Sequence, residues 1–208
     1  PLASAAVIGA GTMGAGIAGA LADTGLEVVL VERDEAGAQA DLDRIRDLYG
    51  RQAKSGRLSG AQMAEKLARI SATADWGSLG AADLVIEAAF EDLAVKTDIF
   101  RRLDQVAKAG AILATNTSYL DLDAIASATA RPQDVVGLHF FAPAHVMRLV
   151  EVVRTARCAP DVLATALGLA RKMGKQPIVA GNGDGFIGNR IYAVYRRHAE
   201  YLVEDGAT

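Results

Sequence analysis

The chain has 208 residues, of which 51% are apolar and 23% charged, with a formal net charge of −3. That length fits one large domain, or one domain plus the start of a second, and the balance excludes a disordered or collagen-like chain. No clustered basic excess points to nucleic acid or to an acidic membrane surface, and no apolar run approaches a bilayer span.

The elements read in chain order as an alternation of short apolar runs with helical patterns. Ala5–Gly9 is a short buried strand, and Gly11–Asp23 a helix rich in small residues that ends at Gly25. Glu27–Glu32 is a second strand. Asp34–Lys54 follows as a long helix with Ala38, Leu42, Ile45 and Tyr49 on one face. Asp83–Ala88 is a strand, Leu93–Ala107 a helix, and Ala111–Thr115, Val135–His139 and Leu149–Val153 are strands. Val162–Met173 is a helix closed by Gly174, Pro177–Ala180 the last strand, and Phe186–Val203 a long terminal helix. Strands and helices in this alternation predict an α/β fold: a mostly parallel sheet, doubly wound, with helices on both faces. Residues 1–184 read as one domain and 185–208 as a helix whose sheet partners have run out.

The single cysteine, Cys158, excludes an internal disulfide framework and suits a reducing compartment. One Cys with three His makes no ordinary zinc site without carboxylates, so no metal is expected. The first residues lack the basic start and apolar core of a signal peptide. Beginning at Pro1, the chain reads as a piece of a longer protein.

The first turn, Gly9-Ala10-Gly11-Thr12-Met13-Gly14, is a full G-x-G-x-x-G placed between a strand and a helix. Gly9 would make the tight turn, Gly11 would admit a pyrophosphate, and Gly14 would let helix and strand pack closely. Free amides and the positive helix end would hold the phosphates. Glu32, eighteen positions past Gly14, closes the second strand. A carboxylate there accepts hydrogen bonds from ribose hydroxyls and repels a 2′-phosphate, which favours NAD over NADP in a Rossmann-type domain. Arg33 beside it softens that exclusion, and a structural turn with a surface Glu is the bland alternative.

Among the three histidines, His198 lies on the apolar stripe of the terminal helix and His145 in a loop after Pro143. His139 ends a strand, where the ligand crevice of an open parallel sheet lies. Twelve positions on, Glu151 sits in the apolar run LVEVV, where a carboxylate is costly unless paired. A hydrogen bond from the imidazole would pair it and fix the tautomer, giving a base that takes a proton from an alcohol. The alternatives are a satisfied His at a strand end and an outward Glu on an edge strand. Ser118, after a strand, can hold a substrate oxygen or merely form a turn; Asn189, at the start of the last helix, can polarise a carbonyl or merely cap. Arg51, Lys54 and Arg57 are either a handle for phosphates or a solvated basic face.

Six stretches recur in order: GAGTMGAGIA (9–18), EAAFEDLAVK (87–96), NTS (116–118), GLHFF (137–141), LVEVV (149–153) and GFIGNR (185–190). Together they resemble the NAD-binding domain of the L-3-hydroxyacyl-CoA dehydrogenases of fatty-acid β-oxidation, over essentially the whole chain. The resemblance implies NAD-dependent oxidation of L-3-hydroxyacyl-CoA to 3-oxoacyl-CoA. His139 would be the general base, Glu151 its orienting partner, and Ser118 and Asn189 would hold the reacting oxygen region. It places Glu32, Ala88, Glu91, Lys96 and Ser118 along the NAD site. It also implies a helical domain after residue 208, with dimer contacts, which this chain would need for appreciable turnover. The stretch APAHVMR (142–148) is most similar to multifunctional versions, in which an enoyl-CoA hydratase module precedes the dehydrogenase. Two departures stand out: Ala142, where many single-function members have Asn, and Glu32, more often Asp. A bacterial cytoplasm is the implied location, with mitochondrial matrix and peroxisome as alternatives. Two other readings keep the fold: a dehydrogenase of a free hydroxy acid or sugar acid, as in lens-crystallin-related enzymes, and an NAD-binding module without catalysis. Hydroxyacid dehydrogenases with a catalytic Lys fit less well, because they leave the His–Glu pair unexplained.

Overall fold

A computed structural model describes residues 2–9 and 11–207. Eight strands form one sheet: β1 (Ser4–Ile8), β2 (Glu27–Val31), β3 (Ile70–Thr73), β4 (Leu84–Glu87), β5 (Ile112–Thr115), β6 (Val135–Phe140), β7 (Leu149–Arg154) and β8 (Gln176–Gly181). Their order across the sheet is β3-β2-β1-β4-β5-β6-β7-β8. β1 to β6 run parallel, β7 pairs antiparallel with β6, and β8 runs parallel to β7. Helices α1 (Thr12–Ala22), α2 (Glu35–Lys54), α3 (Gly60–Ala68), α4 (Leu93–Val106), α5 (Leu122–Ala126), α6 (Pro160–Lys172) and α7 (Gly188–Glu204) complete the chain, with 3₁₀ turns at Trp76–Ala81 and Pro132–Asp134. The parallel, doubly wound architecture read from the sequence is the one observed.

Alternation along the strands builds two cores. Val7, Leu84, Ile86, Val136 and Val152 point to one face and meet Ile17, Leu21, Ile45, Tyr49 and Leu169 of α1, α2 and α6. Ala6, Ile8, Val85, Leu113 and Val135 point to the other and meet Ile99, Phe100, Leu103 and Ile125 of α4 and α5. Both faces are covered, as parallel pairing requires. The small residues of α1 let α2 approach closely: the buried Tyr49 hydroxyl donates to the Gly19 carbonyl at 3.0 Å and to Asp23 Oδ1 at 3.1 Å. α7 stands apart, with none of its residues buried.

Three elements were not anticipated. α3 is short but carries a reciprocal capping box between Ser59 and Gln62, a signal present in the sequence. β3 buries only Ile70, too little to register as a pattern. α5 has five residues and begins on Asp121, which accepts from Asp123 N and Ala124 N. The apolar face of α2 is also shifted: Asp41 is buried in the stripe with Ala38, Ile45, Leu48 and Tyr49, and Leu42 is only half-buried.

Candidate active site

The sheet reverses its winding between β1 and β4, and the crevice beyond the carboxyl ends of these strands is where a doubly wound fold binds ligands. A cleft of about 1160 Å³ opens there. Gly9, Gly11, Thr12, Met13, Glu32 and Ala88 all line it, with Trp76, Phe90 and Arg102. A volume above the ~300–1,000 Å³ of ordinary small-ligand sites suits an extended dinucleotide. The glycines divide their work as the spacing predicts. Gly9 has φ +78°, and a Cβ there would press on Ala89 Cα at 2.9 Å. A Cβ on Gly14 would overlap the Gly9 carbonyl oxygen, whereas one on Gly11 would meet nothing within 4 Å and would stand in the space a pyrophosphate needs. The residues present therefore fit a dinucleotide. Ala10, also expected at the cofactor, lies outside the described residues.

The floor of the crevice is a buried polar network. Glu87, at the end of β4 and fully buried, receives Lys96 Nζ at 2.7 Å, Ala89 N at 2.6 Å and the Thr115 hydroxyl at 2.6 Å. Lys96 also donates to the Ala89 carbonyl and lies 3.4 Å from Glu91 Oε2. Glu91 Oε1 in turn accepts from the Thr117 hydroxyl at 2.6 Å, Ser118 N at 2.7 Å and Tyr119 N at 3.2 Å. Burial pushes the Glu91 carboxyl up, but these donors together with Lys96 hold it below its ordinary value. Lys96 is 1% exposed. Its ammonium is engaged by Glu87, Glu91 and the Ala89 carbonyl. Glu87, Thr115 and Thr117 were not singled out from the sequence; an acid closing an otherwise apolar strand was the available signal.

The second cluster lies where the sheet changes direction. Antiparallel pairing sets His139 on β6 directly opposite Glu151 on β7. Nδ1 and Glu151 Oε2 are 2.7 Å apart, and the two residues are 4% and 1% exposed. A carboxylate only accepts, so Nδ1 carries the proton and Nε2 keeps its lone pair. The other carboxylate oxygen of Glu151 accepts from Ile187 N at 3.0 Å and Gly188 N at 2.8 Å, the first amides of α7. A buried carboxylate is thus fully engaged, as its burial demands. Phe186 holds φ +48°, uncommon for a bulky residue, and its ring is buried 5.6 Å from the His139 ring. The Phe141 ring also packs against it, at 4.5 Å. Asn189 donates to the Ser118 carbonyl at 3.4 Å, and Asn116 Oδ1 accepts from Phe140 N at 2.9 Å. So α7 and the loop after β5 meet beside the imidazole.

The family model for the NAD binding domain of 3-hydroxyacyl-CoA dehydrogenase matches residues 4–184. The chain belongs to that family. It is 44% identical over 205 residues to a peroxisomal bifunctional enzyme of Danio rerio, and 40% identical over 202 residues to a fatty acid oxidation complex subunit alpha of Pseudomonas entomophila. The matches cover 99% and 97% of this chain but only 28% of the length of either relative. A solved (S)-3-hydroxybutyryl-CoA dehydrogenase of Ralstonia eutropha superposes with a TM-score of 0.97 at 35% identity, over 99% of this chain and 73% of that one.

Within this NAD-binding family frame, the fold brings together His139, Glu151, Ser118 and Asn189 in one cluster, and the glycine turn, Glu32 and Ala88 in the cleft. The other two histidines lie elsewhere. His145 is exposed in the 141–148 loop, which Lys175 fastens by donating to the Ala144 and Met147 carbonyls at 2.6 and 2.7 Å. His198 is exposed on α7 near Tyr201. Ala142 is exposed in the same loop as His145. Arg51 lines a small groove with Thr12, Arg44 and His145, while Lys54 and Arg57 lie at and beyond the end of α2. Among the described residues no His, Cys, Asp and Glu gather as a metal site, and no helix is long and apolar enough to cross a membrane.

Proposed function

We propose that this domain carries out the NAD-dependent oxidation of L-3-hydroxyacyl-CoA thioesters to 3-oxoacyl-CoA in fatty-acid oxidation. The observation that carries this reading is Glu151 held between the imidazole of His139 and the first amides of α7. NAD, when bound, supplies the hydride acceptor at the substrate carbon. His139 Nε2 takes the hydroxyl proton. Glu151 keeps the other ring nitrogen protonated and stabilises the imidazolium that forms. Ser118 and Asn189 orient the reacting oxygen, and Glu32 holds the adenosine ribose. Glu91 and Lys96 shape the loop on which the nucleotide lies.

The proposal extends to what surrounds the domain. Ile191, Tyr192, Val194, Tyr195, Leu202 and Val203 of α7 are each more than half exposed, an apolar face larger than a surface helix ordinarily leaves open. We assign residues 1–184 to the nucleotide domain and 185–208 to the first helix of a helical domain that covers this face and the thioester. A hydratase module ahead of the domain and a dimer contact through the helical domain complete the assembly we propose. The bacterial relative and the free Cys158 favour a bacterial cytoplasm, with the peroxisome of the zebrafish relative as the alternative.

The test compares 3-hydroxybutyryl-CoA with free 3-hydroxybutyrate as substrates of the full-length enzyme, reading NADH formation. Preference for the thioester is expected. Equal turnover of the free acid would move the reading to a hydroxy-acid dehydrogenase, and NAD binding without turnover of either would leave a binding module. The 208-residue chain alone is expected to bind NAD and turn over little, because positioning and exclusion of water supply much of such a rate.

A further inference from the structure

The described cluster leaves one buried acid unused. Asp41 lies on the sheet-facing side of α2 at 1% exposure. Its Oδ1 pairs with Arg44, while Oδ2 is shut away from water and meets no donor. An orphaned buried carboxylate oxygen is rare and needs a reason. Its neighbour supplies one. The first turn of α2 packs on Glu32, close enough that a Cβ on Gly37 would stand 3.4 Å from Glu32 Cβ. Glu32 is the neighbouring carboxylate that bears on Asp41. Two ionised carboxylates cannot bond to each other, but one shared proton converts the contact into a strong bond and removes the orphan.

The surroundings agree. Burial first, and then the Glu32 charge, push the Asp41 carboxyl up to about 6, while Arg44 pulls the other way. α1 and β3 carry no titratable side chain. On β2, Glu27 is at the far end and paired with Arg69; on α3, Glu65 pairs with Arg69 and Lys66 with Asp23. His145, from the 141–148 loop, lines the same groove as Arg44, and Arg33 beside Glu32 is exposed. Among the described residues, Arg44 is the cation that bears on Asp41, and it does so through Oδ1.

We propose that Asp41 is a positioning residue for the cofactor acid: it shares a proton with Glu32 and so makes NAD binding a proton-coupled event. This rests on the NAD reading of the cleft. A dinucleotide brings two phosphate charges and excludes water next to the pair, and both disfavour a second negative charge there. The bound state therefore holds the Asp41 proton more tightly than the free state. By linkage NAD binds with uptake of a proton, and affinity falls as pH rises through the titration of Asp41.

Calorimetric titration with NAD, in buffers of different ionisation enthalpy, tests this on the chain itself. Between about pH 5.5 and 7.5 the Kd is expected to rise about three- to tenfold, the effect of a half- to one-unit difference between states. Near pH 6.5 the parent is expected to take up on the order of half a proton per NAD. Asp41→Asn keeps the shape, donates to Glu32 at every pH, and is expected to flatten both the slope and the uptake. Equal slopes in parent and variant, or no proton uptake by the parent, would overturn the proposal. The uptake measurement decides it even if the variant does not fold. A parent that binds no NAD at any pH would instead remove the nucleotide reading, and this proposal with it.

Discussion

Replacing Glu151 by Gln isolates the base pair. The parent carboxylate accepts on both sides: from His139 Nδ1 at 2.7 Å, and from Ile187 N and Gly188 N at 3.0 and 2.8 Å. A glutamine has one oxygen and one NH₂. If the NH₂ faced α7, it would meet two amide donors, so the oxygen goes to α7 and the NH₂ turns to the imidazole. Nδ1 must then accept, and the ring proton moves to Nε2, the nitrogen that we propose takes the hydroxyl proton. The wrong tautomer costs about 10³–10⁴ in kcat where the same geometry has been broken in a His–carboxylate pair, or about 4–5.5 kcal/mol of barrier. KM and NAD affinity stay within about twofold, because the variant keeps its shape and the cleft is untouched. Initial rates of NADH formation by the full-length variant give the first number. ¹⁵N spectra of the His139 ring in this chain give the tautomer directly. A variant that still carries its proton on Nδ1 and turns over within about threefold of the parent would refute the reasoning.

Lys96→Met leaves Glu87 fully buried without its cation, which costs about 3–5 kcal/mol of stability. Pairing it with Glu87→Gln should recover much of the loss in thermal unfolding, and a single variant that melts like the parent would contradict the network. Gly11→Ala should fold normally but lose at least about tenfold in NAD affinity, since its methyl meets no protein atom and occupies the phosphate path. Gly14→Ala should lose stability instead, because its methyl overlaps the Gly9 carbonyl, and similar melting of the two variants would count against this division. For Asp41, raised from 3.8 to about 6, the folded chain binds the proton more tightly than the unfolded one. Stability is therefore complete below the unfolded value and falls as pH climbs through 6. Asp41→Asn should melt higher than the parent near pH 7.5, by between about 1 and 3 kcal/mol, with the gain gone near pH 4. A constant difference across pH would assign it to packing.

The glycine turn, the Glu32 strand end and the His139–Glu151 pair were legible because each breaks a pattern: glycines where a helix begins, acids where strands are apolar. The geometry that joins the pair was not. The twelve-position step from His139 to Glu151 allows a parallel return or a reversal, and only the reversal of β7 makes them direct neighbours. Lys96 was placed at the cofactor by the resemblance alone; that it is buried against Glu87, nine positions away on another element, has no signal in the spacing. Asp41 sits at a position of the α2 stripe that an apolar residue would normally fill, and Leu42 beside it drew the stripe one residue too far. β3 and α5, at four and five residues, are too short to carry a period of their own.

The two oxygens of Glu151 serve different bodies. One belongs to the sheet through His139, and the other to the first turn of α7. α7 runs 17 residues, about 25 Å at the helical rise, and is free of the core along its length. Its first turn ends on the carboxylate that holds the imidazole. A displacement of that turn would change the Ile187 and Gly188 bonds to the Glu151 carboxylate. Whatever packs on α7 would therefore bear on the His139–Glu151 pair rather than on the nucleotide cleft, which no residue of α7 lines.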